Sequence, residues 1–439
     1  MDYKTSEVLG FIEENDIKFI RLAFCDIFGN QKNITIMPTE LKRAFYEGVS
    51  FDASAVTGFM KVEESDLLLF PEANTMYLLP WRPQHGRVVR FFCNIKHPDG
   101  RDFEGDCRNI LKEVIKDSKQ KGFTCKIGCE SEFYLFEQDE FGNPTMIPYD
   151  KGTYCDIYPN DRCENIRRDI CLSLEEMGIK PTSSHHEQGP GQNEIDYEYS
   201  NALSAADNLI SFRSLVKTKA SENGLFASFM PRPLETECGS GLHINISLYK
   251  DNKNIFEDKN DKQYKYAESF ISGILNRIEE ITLFLNSSTN SYKRLGKDKA
   301  PKYITWSKEN RSQLIRIPAS KGDRCRMELR SPDSSCNPYI AFALLIKAGI
   351  EGIEKNLQLC NPHNINLFNA NDNKVKNLKT LPNNLNEAIN NALNSEFIKT
   401  VLPQKTINNY IDDKKQEWDI YNSITDKFKA EKELYFEKF

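Results

Sequence analysis

Glu187 and Glu194 stand on either side of a Gly-Pro-Gly turn in the stretch HHEQGPGQNEID, residues 185–196. Such a turn can fold two carboxylates back toward each other. Like charges brought close resist ionising unless a cation sits between them, and a hard divalent ion takes oxygen ligands of this kind. The same pattern also suits a solvated loop. In KIGCESEFYLF (126–136) the spacing predicts a strand with Glu130, Glu132 and Tyr134 on one side, because side chains alternate with period two. That side is either a metal-ligand face or simply a polar sheet face. GSGLHINISLY (239–249) is a second strand, with His243, Asn245 and Ser247 on one face. His243 there is a ligand or a hydrogen-bonded structural histidine. Glu328 lies in RMELRSPD between Arg326 and Arg330, a pattern that surface ion pairing would also produce. Arg294, Arg311, Arg316, Arg326 and Arg330 crowd one region. Arginine's rigid fork matches carboxylate and phosphate oxygens. No GxxxxGK[ST] loop and no GxGxxG after a strand occurs, so phosphate would be held by metal ions and arginines. These residues describe a metal- and nucleotide-dependent enzyme acting on an acid.

The elements that must position them divide near residue 100. IKFIRLAFCDIFGNQKNITI (17–36) has the alternation of a hairpin. A helical patch follows at 40–47, then a small-residue loop carrying Asp52, then strands predicted at MYLLPWRP and GRVVRFFCNIKHP. Residues 1–100 are thus expected to form a small, mainly β domain with one helix, and residues 101–439 a larger domain. In the latter, helices are predicted at 104–121, 163–177, 204–223, 264–287 and 338–357. The asparagine-rich stretch 361–395 reads as a solvated excursion with local helix, and the C-terminal 40 residues as charged helix.

Composition excludes several classes. The 439 residues carry a net charge of −6 without a basic tract, which argues against nucleic acid as a partner. No apolar run is long enough to span a bilayer, and the N-terminus has neither a signal nor a transit pattern. The 12 cysteines lack CxxC pairs, as expected for free thiols in the cytoplasm.

The ordered blocks FDASAVTGF, GCESEFYLF, HHEQGPGQNEID, FASFMPRP, GSGLHINISL, NSYKRL, NRSQLIRIP and RMELRSPDSSCNPY closely resemble bacterial class I glutamine synthetase, over nearly the whole chain. The resemblance implies an α+β protein: a small β-grasp-like N-terminal domain followed by a larger glutamine-synthetase-type catalytic α/β domain. It implies a homo-oligomer of twelve subunits in two hexameric rings with shared active sites. It implies ATP as co-substrate and two or three divalent cations, Mg2+ or Mn2+. One metal would be held by Glu132, Glu187 and Glu194, the other by Glu130, His243 and Glu328. L-glutamate would be bound by Gly239, Arg294 and Arg330. Arg311, Arg316 and Arg326 would contact phosphate, and Tyr199, Asn245 and Ser247 the nucleotide side. Asp52 of a neighbouring subunit and Tyr154 would form the ammonium pocket, with Asp52, Arg311 and Arg294 as the catalytic groups. The implied reaction phosphorylates the side-chain carboxylate of glutamate and lets ammonia displace the phosphate, giving glutamine.

Departures from the family pattern fall on the amine side. The family's flap glutamate before Ala-Pro is replaced in GKDKAP by Lys299, with Asp298 adjacent. Ala55 replaces a serine after Asp52, Cys238 an asparagine before GSG, and Asn245 a second histidine. A positive charge beside an ammonium pocket weakens ammonium binding. The alternatives are therefore a glutamate–amine ligase, which uses an organic amine, or a catalytically weakened, ligand-binding paralogue.

Overall fold

The computed structural model describes residues 5–82, 85–257 and 262–439. The chain opens with α1 (Thr5–Glu14), β1 (Ile17–Cys25), β2 (Gln31–Ile36), α2 (Pro38–Glu47), β3 (Val49–Asp52), β4 (Asp66–Pro71), β5 (Tyr77–Leu78) and β6 (Arg87–Lys96). These strands make one sheet in the order β2-β1-β6-β4-β3, with β5 on β6. β1 and β2 are the expected hairpin. β1 runs parallel to β6, so the sheet is mixed. Two features differ from the sequence reading. α1, anchored by buried Val8 and Ile12, joins α2 as a second helix. The strand expected over MYLLPWRP shrinks to Tyr77–Leu78, since Pro80 cannot donate to a ladder; its end at Pro83 lies outside the described residues.

The larger part follows as α3 (Cys107–Gln120), β7 (Phe123–Gln138), β8 (Pro144–Pro148), α4 (Glu164–Glu176), β9 (Pro181–His186), β10 (Gln192–Tyr197), β11 (Ser200–Asn201), α5 (Ala202–Glu222), β12 (Leu225–Ser228), β13 (Leu242–Lys250) and β14 (Lys253–Asn254). Next come α6 (Tyr264–Leu285), α7 (Ser291–Arg294), β15 (Trp306–Lys308), β16 (Ile315–Ile317), β17 (Met327–Leu329) and α8 (Pro338–Glu354). The chain closes with α9 (Asp372–Val375), α10 (Leu385–Leu393), α11 (Glu396–Lys399), α12 (Gln404–Ser423) and α13 (Lys427–Tyr435). Its sheet has the order β15-β16-β17-β13-β7-β10-β9, with shorter strands added to β7 and β13. Every pair is antiparallel except β15 with β16. An antiparallel sheet can keep one face polar while the other packs. Cys129, Ser131, Phe133 and Leu135 of β7 are buried on the packed face, where Phe133 meets Phe212 of α5 with ring centroids 6.1 Å apart. Helix α8 is apolar nearly all round and buried except at Lys347, Glu351 and Glu354, the pattern of a helix in the middle of a domain.

Buried polar contacts join the two sheets. Arg108 at the start of α3 is bidentate to Asp207 of α5 (Nε to Oδ1 and Nη2 to Oδ2, both 2.9 Å), and Tyr339 donates to the same carboxylate at 2.7 Å. Arg108 also pairs with Glu72 beside β4, and Arg90 of β6 donates to Ser211 at 2.7 Å. The asparagine-rich stretch is more integrated than its composition suggests, because α10 buries Leu385, Ala388, Ile389 and Ala392. No helix among the described residues is long and apolar enough to cross a membrane.

Candidate active site

Strand register assembles the site. Period-two alternation puts Glu130 and Glu132 on the polar face of β7, as it does Glu194 and Asp196 on β10 and His243, Asn245 and Ser247 on β13. Antiparallel pairing then aligns these side chains in rows across the sheet. His185 lies opposite Glu194, which lies opposite Glu132. One step along, Asp196 faces Glu130, which faces His243. One step further, Gly128 faces Asn245, Asn245 faces Glu328, and Glu328 faces Arg316. Directly opposed residues have Cβ atoms about 5 Å apart, so each row is a ready-made cluster.

Two clusters have ligand atoms within 4.8 Å of one another: Glu130 with His243 and Glu328, and Glu187 with Glu194 and His185. They differ electrically. In the first, cations already balance the carboxylates. His243 Nδ1 lies 3.1 Å from Glu130, Arg330 Nη1 donates to Glu328 at 2.7 Å, and Arg316 pairs with Glu328. Burial works to raise the pKa of Glu328, but His243 and Arg330 outweigh it and hold the carboxyl below its usual range. In the second, burial and then the charges of Glu132, Asp196, Glu130 and Glu187 push Glu194 up. Within this cluster His185, 3.0 Å from Glu187, is the cation-forming member. Asp196 Oδ1 is buried without a hydrogen-bond partner. An oxygen-rich, under-compensated donor set fits a hard divalent cation such as Mg2+ or Mn2+. Glu132 shares the cavity; its Oε2 accepts from Gly241 N at 2.9 Å and Gln192 Nε2 at 3.1 Å, and His185 groups with Glu187 and Glu194.

The Gly-Pro-Gly turn is held from behind. Gly191 has φ +68°, and a Cβ there would stand 2.7 Å from the Leu135 carbonyl; one on Gly189 would strike the Tyr134 hydroxyl. Fully buried His186 donates from Nδ1 to the Glu187 carbonyl at 2.6 Å and from Nε2 to Asp150 Oδ1 at 2.8 Å. Both acceptors lack a proton to give, so the ring is an imidazolium. Burial opposes that charge, but Asp150 and the carbonyl raise its pKa overall. Asp150 also accepts from Gly191 N at 2.8 Å, Gly152 N at 3.2 Å, Arg162 N at 2.9 Å and the Cys163 thiol at 3.2 Å. Arg167, paired with Asp161, donates to Asn193 at 2.7 Å and so fixes the far end of the turn. Asp150, Asp161 and Cys163 also cluster closely enough for a metal, but their polar atoms are spent on these bonds.

Two cavities open on the polar face. The first, about 510 Å³, is lined by Glu130, Glu132, Glu187, Glu194 and Asp196 together with Arg294, Arg311, Arg316, Arg326 and Arg330. Gly239, Tyr154, Cys238 and residues 297–300 complete it. The second, about 780 Å³, is lined by Tyr199, Asn245, Ser247, Lys321, Asp323 and Arg324. Glu130, Asp196 and Arg326 border both. Arg330 Nε is buried with no acceptor. Asn245 donates to Glu130 at 2.9 Å and accepts from Arg326 Nε at 2.7 Å.

Comparison with known proteins places the chain. Residues 16–98 match the family model described as glutamine synthetase, beta-Grasp domain, and residues 104–433 match glutamine synthetase, catalytic domain. The chain belongs to the glutamine synthetase family. It is 45% identical over 426 residues to a glutamine synthetase of Clostridium saccharobutylicum, covering 96% of both chains. It is 44% identical to one of Methanosarcina mazei, covering 95% of each, and 39% identical to one of Staphylococcus aureus, covering 100% of this chain and 99% of the other. Among solved structures it resembles a GmaS/ADP complex (TM-score 0.87, 27% identity, 99% and 100% covered) and Plasmodium falciparum glutamine synthetase (TM-score 0.86, 26% identity, 96% and 97% covered). It is a ligase-family enzyme with a β-grasp domain and a larger catalytic domain.

Most residues singled out from the sequence converge on these two cavities. Glu328 is fully buried behind His243, Arg316 and Arg330. Asp52 is exposed at the end of β3, accepts from Ser54 N at 2.9 Å, and lines neither cavity of its own chain. Sequence reasoning missed Asp196 and His185 as members of the rows. The period-two spacing Glu194-x-Asp196 and His185-x-Glu187 was the available signal. Lys299 lines the first cavity, its Nζ 5.1 Å from the Tyr154 ring centroid. Asp298 beside it pairs with Arg232 at 2.8 Å.

Proposed function

We propose that this glutamine synthetase homologue ligates ammonia to the side-chain carboxylate of L-glutamate at the expense of ATP, through γ-glutamyl phosphate. The observation that carries the reading is one cavity lined by both the acidic residues of the sheet and five arginines, with a second cavity adjoining through Glu130, Asp196 and Arg326. The second cavity would take the nucleotide against Tyr199, Asn245 and Ser247. Its γ-phosphate would then point into the first, where Arg311, Arg316 and Arg326 spread the charge of the transferring group. Arg330, with its unpartnered Nε, and Arg294 would orient the glutamate carboxylates, with Gly239 offering backbone. Glu187, Glu194, Glu132 and His185 would hold one divalent cation, and Glu130, His243 and Glu328 another. When bound, such ions neutralise phosphate oxygens that the carboxylates alone would repel.

In the reaction, the glutamate carboxylate oxygen bonds to the γ-phosphorus as the bond to ADP breaks. The ammonia nitrogen then bonds to the acyl carbon, phosphate leaves with the carbon–oxygen electrons, and the nitrogen loses a proton. Asp52, exposed in its own chain, supports a site completed by a neighbouring subunit in a ring assembly, the dodecamer of the family. The free cysteines support a reducing compartment such as the cytoplasm.

Lys299 favours a second reading, a glutamate–amine ligase, because its cation lines the same cavity beside Tyr154 and would repel ammonium there. The test is phosphate release from ATP and glutamate, first with ammonia and then with a panel of primary amines. Release with ammonia supports the first reading, and release only with an organic amine replaces it with the second. No release with any amine, while ATP still binds, sinks both.

A further inference from the structure

Away from the two cavities just described, a third of about 220 Å³ lies between α5, the β1–β2 turn and the C-terminal residues. It is lined by Gln31, Arg213, Ser214, Lys217, Ser334 and Lys438 among others, with no aspartate or glutamate side chain among the described residues. Its cations are poorly matched. Lys438 is paired with Glu417 at 2.7 Å and is neutralised. Arg213 spends both Nη atoms on the Cys336 carbonyl, each at 3.0 Å, and its Nε is buried with no acceptor. Lys217 donates to the Lys438 carbonyl at 3.3 Å, and the charged neighbour acting on it is Arg213. Burial first, then that like charge, depress the Lys217 ammonium to about 8.

Two like charges held side by side in a half-buried cavity repel each other, and a bound anion or the loss of a proton relieves that repulsion. The Gln31 amide adds an N–H donor, its oxygen accepting from Ser214 Oγ at 3.2 Å. We propose that this cavity binds a small tetrahedral oxyanion of the phosphate or sulfate type between Arg213 and Lys217. The cavity, about 220 Å³, admits such an ion with at most a short substituent. Ser334, which lines it, lies 3.0 Å from Ser131, the residue between Glu130 and Glu132 on the opposite face of β7. The site is thus behind the catalytic strand and separate from the catalytic cavities.

The experiment uses the full chain crystallised without phosphate or sulfate and soaked in millimolar selenate. A selenium anomalous peak is expected between Arg213 and Lys217, lost in Lys217→Met and kept in Lys217→Arg. A second peak in the catalytic cavity, present in all variants, controls for access. In solution, selenate should raise the melting temperature more in the wild type than in Lys217→Met, and its apparent affinity for this site should fall at least tenfold. Inorganic phosphate should compete with selenate and acetate should not; the reverse would make the ligand a carboxylate and overturn the assignment. An empty cavity while the catalytic peak is present, or a peak that persists in Lys217→Met, also overturns it. A crystal peak without any Lys217-dependent shift in solution means an adventitious ion only, which overturns it too. If Lys217→Met does not fold, the wild-type and Lys217→Arg maps decide.

Discussion

Asp150→Asn would separate holding the Glu187–Glu194 turn from merely stabilising the fold. The Asp150 carboxylate accepts from His186, Gly191 N and Gly152 N on one oxygen and from Arg162 N and Cys163 on the other. An asparagine can keep the first oxygen as an acceptor, but its amide NH2 then faces the Arg162 N–H and the Cys163 thiol. Flipping the amide instead turns donors toward His186 and Gly191. Each buried donor left without an acceptor costs about 1–3 kcal/mol, and the imidazolium of His186 loses its counter-charge. Because His186 also holds the Glu187 carbonyl at 2.6 Å, part of that cost is relieved by movement of the turn itself. Groups that orient ligands in this way are worth about 10–100-fold in metal affinity, or about 1.4–2.8 kcal/mol. Mn2+ binding followed by electron paramagnetic resonance should weaken by that factor, with far-ultraviolet circular dichroism unchanged. A variant whose melting temperature falls while its Mn2+ affinity stays at the wild-type value would refute the reasoning.

Three further outcomes are expected. Lys299→Glu should lower the KM for ammonia by about tenfold or more, since one like charge removed and one opposite charge gained near the pocket each act in the same direction; an unchanged KM would clear Lys299 of any role in amine choice. Asp207→Asn leaves Arg108 buried beside a neutral partner and should cost about 3–5 kcal/mol in chemical denaturation, whereas loss below about 1 kcal/mol would mean that Glu72 alone satisfies Arg108. The Arg277 guanidinium, joined by Lys355 and opposed by burial, holds the Glu351 carboxyl down to about 2 from an ordinary 4.5. A depressed carboxyl stabilises above its unfolded value, so this contribution is full above about pH 4.5 and fades as the pH falls through about 2. Wild type and Glu351→Gln should therefore differ in melting temperature at pH 6 and converge toward pH 2, and a constant difference would contradict the ion-pair account.

Local pattern alone specified the strands that carry Glu130, Glu132, His243 and Glu328, because period-two alternation is a property of the chain itself and survives any packing. The long helices α5, α6 and α8 were legible for the same reason, through their apolar content and spacing. What the sequence could not supply was register. Whether Glu194 meets Glu132 or a neighbour depends on which residues pair across strands remote in the chain, and a slip of one residue would turn these side chains into the packed face. Tertiary structure also decided that His185 joins Glu187 and Glu194, that Asp196 faces both cavities, and that His186 points away from the site into Asp150. Adjacent histidines on one strand look alike in a sequence; alternation sends them to opposite sides, and only the partner waiting on each side determines that one lines the cavity and the other holds the turn in place.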